Sequence, residues 1–171
     1  HPVTEELDSA SENCQIMLEA LNKTGKPLVI ILPNNDAGGN AVKVFLQENK
    51  LSHHYHFPNV ARSEYLSLLK HCDCLVGNSS SGLLEAPTFK TPVVNIGTRQ
   101  ANRVRGKNVI DCTYSVDSIL KSLQLAMSST FKTSLEDLEN PYGDGYSSSR
   151  IVSILEETPI DSSLLVKTVT F

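Results

Sequence analysis

Short apolar runs alternate along the chain with longer segments in which apolar residues recur every three or four positions. Residues 28–32 are continuously apolar, and residues 92–96 contain a single polar residue. An apolar run without polar alternation is typical of a strand that is covered on both faces, as in a parallel sheet. Three further strands are predicted at 53–57, from Cys74 to Val76, and at 108–112.

The segments between these runs have helical spacing. From about residue 8 to residue 22, Cys14, Leu18 and Leu21 fall on one face. Further helices are predicted at 41–49, 115–128 and 148–156. Two more are predicted, one that begins after a cap at Ser63 and one that follows the loop after Val76. In the helix at 148–156 we expect the apolar side chains to be buried, namely Ile151, Val152, Ile154 and Leu155. The alternation of strands and helices predicts an α/β fold with a parallel sheet of about five strands and helices on both faces.

Composition narrows the functional classes. The chain has 171 residues, of which 40% are apolar, enough for one domain with a core. The net charge of −4 and the lack of a basic run argue against a nucleic-acid surface, and no apolar stretch approaches the ~20 residues of a membrane span. The four cysteines lack zinc-site spacing and are interpreted as reduced, mostly buried thiols of a cytoplasmic protein. The chain starts at His1 without methionine, and we expect a segment upstream to be missing.

Three polar loops follow predicted strands, at residues 34–40, 78–82 and 97–105. Ligands of open parallel sheets bind beyond the carboxyl ends of the strands. Because all three loops should meet at that edge, together they predict a ligand site more strongly than any one of them alone.

The loop from Gly77 to Glu85 combines small hydroxyl residues with the start of a helix. Three serines, Ser79 to Ser81, and two glycines let an anion approach the first N–H groups of that helix, where the dipole is positive, so the loop predicts a phosphate site. Glu85 can accept two hydrogen bonds from a ribose diol, which would make this a nucleotide site. In the alternative interpretation, Gly82 caps the helix and Glu85 is the third residue of a capping arrangement.

Several other polar residues have two interpretations each. Arg99 follows the strand at 92–96, where a guanidinium either neutralises a diphosphate or faces solvent. Asn34 either bonds a ligand or serves as a turn residue. Arg103 and Arg105 are interpreted as solvent-facing.

The histidines raise two hypotheses. His1 lies just before a helix at the ligand edge, where an imidazole can act as a general acid or contact phosphate, although a chain terminus is often disordered. His54 and His56 share one face of their strand, and His53 points away. No Asp, Glu or Cys lies at ligand spacing from them, so a partly exposed strand is preferred to a metal site. No Ser/His/Asp triad is evident, and no lysine follows the serine loop as in a P-loop.

Several of these segments recur, in this order, in a known family. They are His1-Pro2-Val3-Thr4, Pro33-Asn34-x-Asp36-Ala37-Gly38, Gly77-Asn78-Ser79-Ser80-x-Gly82-x-x-Glu85, Thr91-Pro92-Val93-x-Asn95-x-Gly97-Thr98-Arg99-Gln100 and Tyr142-Gly143-Asp144-Gly145. Together they resemble the C-terminal half of hydrolysing UDP-N-acetylglucosamine 2-epimerases, which begin sialic acid synthesis. The resemblance covers about His1 to Leu155, and it implies a nucleotide-binding domain at 1–157 followed by a tail at 158–171.

The resemblance implies a Rossmann-like sheet of five or six strands in one half of a two-domain GT-B enzyme. It implies that UDP is bound by Asn34, Val60 through its backbone, Ser79, Ser80, Glu85 and Arg99, and that His1 is the one candidate catalytic residue in this half. The implied reaction converts UDP-N-acetylglucosamine and water to N-acetylmannosamine and UDP, by elimination of UDP to a glycal and then hydration. No metal or nicotinamide cofactor is implied.

Alternatives to this family function stay open. The acid and base carboxylates of the family belong to its N-terminal half, so this chain alone is expected to bind a uridine nucleotide weakly and to turn over nothing. Rival interpretations are the donor-binding half of a GT-B glycosyltransferase, a non-hydrolysing 2-epimerase that yields UDP-N-acetylmannosamine, and a nucleotide-sensing module without catalysis. Expected partners are the N-terminal domain of the same protein and a second copy in a homodimer, but neither nucleic acid nor a membrane.

Overall fold

The computed structural model of the chain describes residues 1–3, 9–33 and 38–165. It divides into two compact units, His1–Pro141 and Tyr142–Phe171. Within the described residues, no helix is long and apolar enough to cross a membrane. The predicted boundary between residues 157 and 158 remains a prediction.

The described residues of the first unit form five strands, all paired in parallel. The strands are β1 (Leu28–Ile31), β2 (His54–Phe57), β3 (Leu75–Gly77), β4 (Val93–Ile96) and β5 (Val109–Cys112). β1 pairs with β2 in one ladder, and β3, β4 and β5 pair in that order in a second ladder. The predicted alternation of strands and helices is therefore confirmed, but the hydrogen bonding divides the strands into two groups.

The helices lie close to where periodicity predicts them. They are α1 (Ala10–Lys23), α2 (Gly39–Glu48), α3 (Arg62–His71), α4 (Ser81–Leu84), α5 (Val116–Ala126), α6 (Ser129–Ser134), α7 (Ser147–Glu157) and α8 (Ser162–Leu165), with a 3₁₀ helix at Ala86–Phe89. Three details differ from the prediction. Ala61, rather than Ser63, is the N-cap of α3, and the short helices α6 and α8 were not predicted.

Helix α1 joins the two groups of strands because it packs on both. One of its faces contacts α2, where Cys14 and Leu18 share a buried cluster with Val42. Its Ala20 belongs to a second cluster with Ile119 of α5 and the β4 side chains. Burial of apolar surface on both sides of α1 therefore holds the two ladders in one compact unit.

β4 is the most deeply buried strand, because it has a strand on each edge and helices on each face. Val94 and Ile96 pack toward α5, whereas Val93 packs toward Leu69 of α3 and Ala86 of the 3₁₀ helix. Successive side chains of a strand point to opposite faces, so this single strand anchors both helix layers. The predicted sheet with helices on both faces is thus observed around β4.

β1 differs from its prediction. Its apolar run predicts cover on both faces, yet Val29 and Ile31 are 49% and 39% exposed. Ile30 packs beneath α1 and α2, so only one face of the strand is covered. The sequence pattern gives a strand's capacity for burial, whereas its neighbours decide how much of that capacity is used.

The second unit carries α7, whose apolar residues are also not buried as predicted. Ile151, Val152, Ile154 and Leu155 are between 51% and 68% exposed. The start of the helix is fixed by Asp144, which accepts two hydrogen bonds from the guanidinium of Arg150 and one from the backbone N–H of Tyr146. These bonds hold the pKa of the Asp144 carboxyl well below its usual range.

The packing of α5 predicts how two truncations on one helix should differ. Ile119→Ala should lower the free energy of unfolding by about 2–5 kcal/mol, because Ile119 is fully buried between α1 and β4. Leu125→Ala, at a half-exposed position of the same helix, should change it by less than about 0.5 kcal/mol. Urea unfolding of both variants measures the difference, and equal losses would contradict the assigned core.

Candidate functional site

The serine loop leaves the carboxyl end of β3 and leads directly into α4. Ser80 is the N-cap of α4 but makes no side-chain cap bond. The N–H of Ser81 donates to Ser79 Oγ at 3.3 Å, and the N–H of Gly82 donates to the carbonyl of Ser79 at 3.2 Å. Gly82 lies against β4, where an added Cβ would come within 2.8 Å of Val93, so the residue type is set by close packing. The alternative interpretation with Gly82 as N-cap is therefore wrong.

Glu85 ends α4 and has a partner on each carboxylate oxygen. Its Oε1 accepts a hydrogen bond from Arg62 at 2.5 Å, and its Oε2 accepts one from Ser81 Oγ at 2.6 Å. Because a carboxylate only accepts, Ser81 donates to it and in turn accepts from the hydroxyl of Tyr65. Helix α3 thus supplies Arg62 and Tyr65, one turn apart, to orient a carboxylate on a different element.

Tyr65 is held in its protonated form by its surroundings. Burial raises the pKa of the Tyr65 phenol above its ordinary value, and the neighbouring Glu85 carboxylate raises it further, while the hydrogen bond to Ser81 acts in the opposite direction. A protonated phenol is the donor that Ser81 requires when Ser81 gives its own proton to Glu85. The raised pKa of the Tyr65 phenol is therefore consistent with the hydrogen bonds from Tyr65 to Ser81 and from Ser81 to Glu85.

Asn78 links the serine loop to the start of the chain. It is only 5% exposed, its Oδ1 accepts from the amino group of His1 at 2.7 Å, and its Nδ2 donates to the carbonyl of His1 at 2.7 Å. The same Nδ2 lies 3.5 Å from the hydroxyl of Tyr114. The backbone of His1 therefore lies at the carboxyl end of β3.

Arg99 is brought to this edge by the backbone carbonyl of Asn78. The carbonyl accepts from Arg99 at 3.0 Å and from Gln100 Nε2 at 2.8 Å, and the Gln100 side chain is 1% exposed. The bond that orients Arg99 is to a neutral oxygen, and the Arg99 side chain is half-buried. The guanidinium thus lies beside the serine loop, as the sequence pattern predicts.

The rest of the 97–105 loop is braced internally. Arg105 pairs with Asp111 of β5 and donates to the carbonyl of Gln100 at 2.7 Å, so it is not solvent-facing as interpreted from the sequence. Arg103 is exposed, as interpreted. Gly97 has a φ of 78° and lies so close to the ring of Tyr114 that a side chain there would collide. These contacts hold the backbone from which Arg99 projects.

A cavity of about 1010 Å³ opens beside these residues. Its lining includes the polar residues His1, Asn78 to Ser81, Tyr65 and Glu85, together with apolar residues of β1, β3 and α1. Several sequence-predicted residues therefore line one cavity.

The remaining candidate residues have different outcomes. Asn34 lies outside the described residues. Val60 lies in the link between β2 and α3, two residues before Arg62. His54 is 3% exposed and uses both ring nitrogens, since Nδ1 accepts from the N–H of Leu51 and Nε2 bonds Asn22. Among the described residues, no group of three His, Cys, Asp or Glu side chains could hold a metal.

Sequence reasoning missed the residues that position the site. Asn78, Ser81 and Gln100 are buried polar side chains, while Tyr65 and Arg62 come from a helix that precedes the serine loop in the chain. Asn78 and Gln100 belong to recurring family segments, which was the available signal. Arg62 and Tyr65 had no local signal, because their role depends on the packing of α3 beside α4.

Comparison with known proteins places these features in a family context. A family model described as UDP-N-acetylglucosamine 2-epimerase matches residues 1–156. The UDP-N,N'-diacetylbacillosamine 2-epimerase (hydrolyzing) of Legionella pneumophila is 35% identical over 98% of this chain and 44% of its own length. The UDP-N-acetylglucosamine 2-epimerase of Neisseria meningitidis is 36% identical over 75% of this chain and 34% of its own length. The chain thus spans less than half the length of these relatives.

Solved structures agree in fold. This chain is similar to the crystal structure of the Methanocaldococcus jannaschii UDP-GlcNAc 2-epimerase in complex with UDP-GlcNAc and UDP. The match covers 90% of this chain and 43% of that protein's chain, with a TM-score of 0.70 and 20% sequence identity. It is also similar to an S. aureus MnaA–UDP co-structure, and that match covers 90% of this chain and 42% of the other chain, with a TM-score of 0.71 and 18% sequence identity. These likenesses confirm the predicted Rossmann-like α/β fold of GT-B epimerases.

The raised pKa of Tyr65 predicts a pH dependence of stability. Above the ordinary phenol pKa of about 10, the unfolded state loses this proton before the folded state does, so stability should fall as pH rises. Tyr65→Phe should reduce that decline, and Tyr146→Phe, at an exposed position, should leave it in place. Urea midpoints between pH 9 and pH 11 measure this, and identical slopes for wild type and Tyr65→Phe would contradict the assignment.

Proposed function

Because the chain belongs to the UDP-N-acetylglucosamine 2-epimerase family, we propose that residues 1–157 form the UDP-binding half of a hydrolysing 2-epimerase. The observation that carries the proposal is the convergence of the serine loop, Glu85 and Arg99 at the carboxyl edge of one parallel sheet. This is the edge at which α/β sheets bind ligands. The whole protein would convert UDP-N-acetylglucosamine and water to N-acetylmannosamine and UDP.

The diphosphate is proposed to lie against Ser79, Ser80 and Arg99. The hydroxyl groups are small donors, and Arg99 carries a full positive charge that is oriented by a neutral carbonyl. A guanidinium has five donors in a planar fork, so the bond from Arg99 to the Asn78 carbonyl leaves donors for bidentate contact with phosphate oxygens. Arg99 thereby also offsets the charge that builds on UDP when it leaves the sugar.

The ribose is proposed to bind Glu85. Ser81 donates a hydrogen bond to Oε2 of the carboxylate, and Oε1 accepts one from Arg62. A diol that bonds Glu85 would displace Arg62 from that oxygen. The displaced Arg62 would remain in solvent, because its side chain is 71% exposed.

Other contacts complete the proposed nucleotide site. The backbone of Val60 would meet the uracil, and Asn34 would lie near the phosphates. His1 is held beside Asn78 and lines the cavity, so its imidazole is proposed to contact the sugar or phosphates and to act as the one catalytic candidate of this half. No metal or nicotinamide is required for the proposed reaction.

The proposed chemistry divides into two steps. A base removes the C2 proton while the C1–O bond breaks, so the electron pair of the C–H bond forms the glycal double bond and UDP departs with the bonding electrons. Water then adds across the double bond to give N-acetylmannosamine. The names of the L. pneumophila relative and of a Campylobacter jejuni relative, each described as hydrolyzing, support water as the second reactant. The sugar could equally be a diacetylbacillosamine, and the missing half would select it.

The location and partners of the whole protein are also proposals. The cysteines of the described residues are all free thiols, which supports a cytoplasmic location with reducing conditions. The main partner would be the N-terminal domain of the same protein, which would close over the nucleotide. A homodimer is proposed for the whole protein.

The nucleotide proposal predicts two separable losses of affinity. Arg99→Ala should weaken UDP by about tenfold or more but leave uridine unaffected, because only the diphosphate contacts the guanidinium. Glu85→Ala should weaken UDP by about tenfold or more but leave 2′,3′-dideoxyuridine diphosphate unaffected, because that ligand lacks the diol. Isothermal titration calorimetry measures all of these affinities.

Arg103→Ala is the matched control for these titrations, since Arg103 lies exposed on the same loop as Arg99. The control should bind UDP like the wild type. If Arg103→Ala weakened UDP as much as Arg99→Ala, the effect would be one of net charge, and the proposed contact would be wrong. If no variant or wild type bound UDP, the nucleotide site of this half would be incomplete without the other domain or absent.

The proposal also predicts that this chain alone is inactive. Incubated with UDP-N-acetylglucosamine, it should release no UDP above the buffer rate, because the acid and base carboxylates would belong to the missing half. A coupled assay for UDP measures this, and release at an enzymatic rate would contradict the proposal. With the whole protein, free N-acetylmannosamine supports hydrolysis, whereas UDP-N-acetylmannosamine or a glycoside would favour a rival function.

A further inference from the structure

Three side chains of the candidate site form a continuous chain of hydrogen bonds that ends on Glu85. The hydroxyl of Tyr65 donates to Ser81 Oγ, and Ser81 Oγ donates to Glu85 Oε2 at 2.6 Å. The direction is fixed by the protons, since a carboxylate only accepts and a serine hydroxyl has a single proton to give. Tyr65 is therefore the first donor of the chain, although it lies on α3 and Glu85 ends α4.

Packing and backbone bonds anchor both ends of this chain. The ring of Tyr65 packs against the buried cluster that contains Leu69 and Ala86. Glu85 closes the single turn of α4, where its N–H donates to the carbonyl of Ser81 at 3.0 Å. Ser81 lies between the two and is only 9% exposed. It is thus bonded to Glu85 through its backbone and through its side chain, and solvent has little access to its hydroxyl.

The two oxygens of Glu85 have partners of different kinds. Oε2 accepts from the nearly buried Ser81, whereas Oε1 accepts from Arg62 at 2.5 Å. The side chain of Arg62 is 71% exposed, while that of Glu85 is 23% exposed. A ligand that takes Oε1 therefore has to replace one solvent-facing guanidinium, whereas a ligand that takes Oε2 has to break the chain that begins at Tyr65.

We propose that Tyr65 and Ser81 are positioning residues that give the candidate site its selectivity for a ribose diol, and that Arg62 competes with the diol for Oε1 of Glu85. Since these roles presuppose a nucleotide at Glu85, they rest on the proposed function. They add to it the side chains that decide how well the carboxylate distinguishes a diol from a sugar without one. The diphosphate contacts are a separate matter, because they involve other residues.

The orientation of the carboxylate decides how well it binds a diol. Two neighbouring hydroxyl groups need two acceptor sites at a fixed separation, and a side chain that is ordered only on binding loses rotamer freedom at that moment. Without Tyr65, the hydroxyl of Ser81 can turn to a carbonyl of the preceding turn, as serine hydroxyls in helices do. With Tyr65 as donor, the proton of Ser81 is directed to Glu85, and hydrogen bonds in such a chain strengthen one another.

A purely structural role of the hydrogen-bond chain gives a different expectation. If the bonds serve only to hold α3 beside α4, their loss should weaken every ligand of the site alike. We define the diol selectivity as the dissociation constant of 2′,3′-dideoxyuridine diphosphate divided by that of UDP. The two ligands share the base and the diphosphate, so this ratio depends on the diol, and a general loss of packing leaves it unchanged.

Isothermal titration calorimetry of the chain with both ligands gives the first test. Ser81→Ala should lower the diol selectivity by about fivefold or more, and Tyr65→Phe, which keeps the ring, should lower it by about threefold or more. The double variant should match Ser81→Ala, because Tyr65 acts through Ser81. Tyr55→Phe, at an exposed position of β2, is the matched control and should leave the selectivity unchanged. Unchanged selectivity in Tyr65→Phe, or independent losses that add in the double variant, would overturn the positioning role.

The competition by Arg62 predicts a change of the opposite sign. Arg62→Ala should raise the diol selectivity by about twofold or more, because Oε1 is then open to the diol. The lost positive charge acts on the diphosphate of both ligands, so it cancels in the ratio. Arg103→Ala, which removes an exposed arginine elsewhere, should leave the selectivity unchanged. A lower selectivity in Arg62→Ala would mean that Arg62 supports the diol, and the proposed competition would be wrong.

A measurement without nucleotide separates the hydrogen-bond chain from ligand binding. The carbon NMR resonance of the Glu85 carboxylate should shift in Tyr65→Phe and in Ser81→Ala, and Tyr65→Phe should add no further shift in the Ser81→Ala background. A resonance that ignores Tyr65→Phe would overturn the positioning role whether or not a ligand binds.

The titrations also distinguish failure of this inference from failure of the proposed function. A wild type that binds neither ligand would overturn the nucleotide site of this chain and the roles of Tyr65, Ser81 and Arg62 with it. A wild type that prefers UDP, with the same selectivity in every variant except Glu85→Ala, would leave the nucleotide site in place and overturn only those roles.

Discussion

The amide and carbonyl of Asn78 connect the parts of the candidate site. This residue is almost completely buried, and it bonds His1 with both side-chain atoms and Arg99 and Gln100 with its backbone oxygen. Buried polar groups must be paired, so each partner is fixed as firmly as the core around it. His1, the serine loop and the loop at residues 97–105 are therefore all held by one residue at the end of β3.

The position of Asn78 depends on the packing of β4. Its two faces hold α5 and α1 on one side and α3 with the 3₁₀ helix on the other, so β3 and its loop have a rigid neighbour. The same cavity that is lined by the serine loop is also lined by residues of β3 and β1. The candidate site thus lies between the well-packed part of the unit and this cavity.

The sequence pattern placed nearly every helix and strand of the described residues, because period and turn residues are local properties. It also placed Ser79, Ser80, Glu85 and Arg99 at one edge, since the carboxyl ends of parallel strands meet there. It did not predict the solvent exposure of apolar side chains on β1 and α7, and it did not predict the hydrogen-bond and ion-pair partners of the polar side chains. Arg105 appeared solvent-facing in sequence, yet it pairs with Asp111 on β5, because a loop residue's environment depends on strands that are distant along the chain.

The sequence by itself therefore determined the fold class, the order of elements, the family and the chemical types gathered at the ligand edge. Only the tertiary structure decided how those groups are held: Tyr65 and Ser81 in a donor chain to Glu85, Arg62 on its other oxygen, and Asn78 beneath Arg99 and His1. It also decided that the strands form two separate ladders. The physical reason is that periodicity records which faces of an element can be buried, whereas hydrogen-bond partners and strand neighbours arise from contacts between segments far apart in the chain.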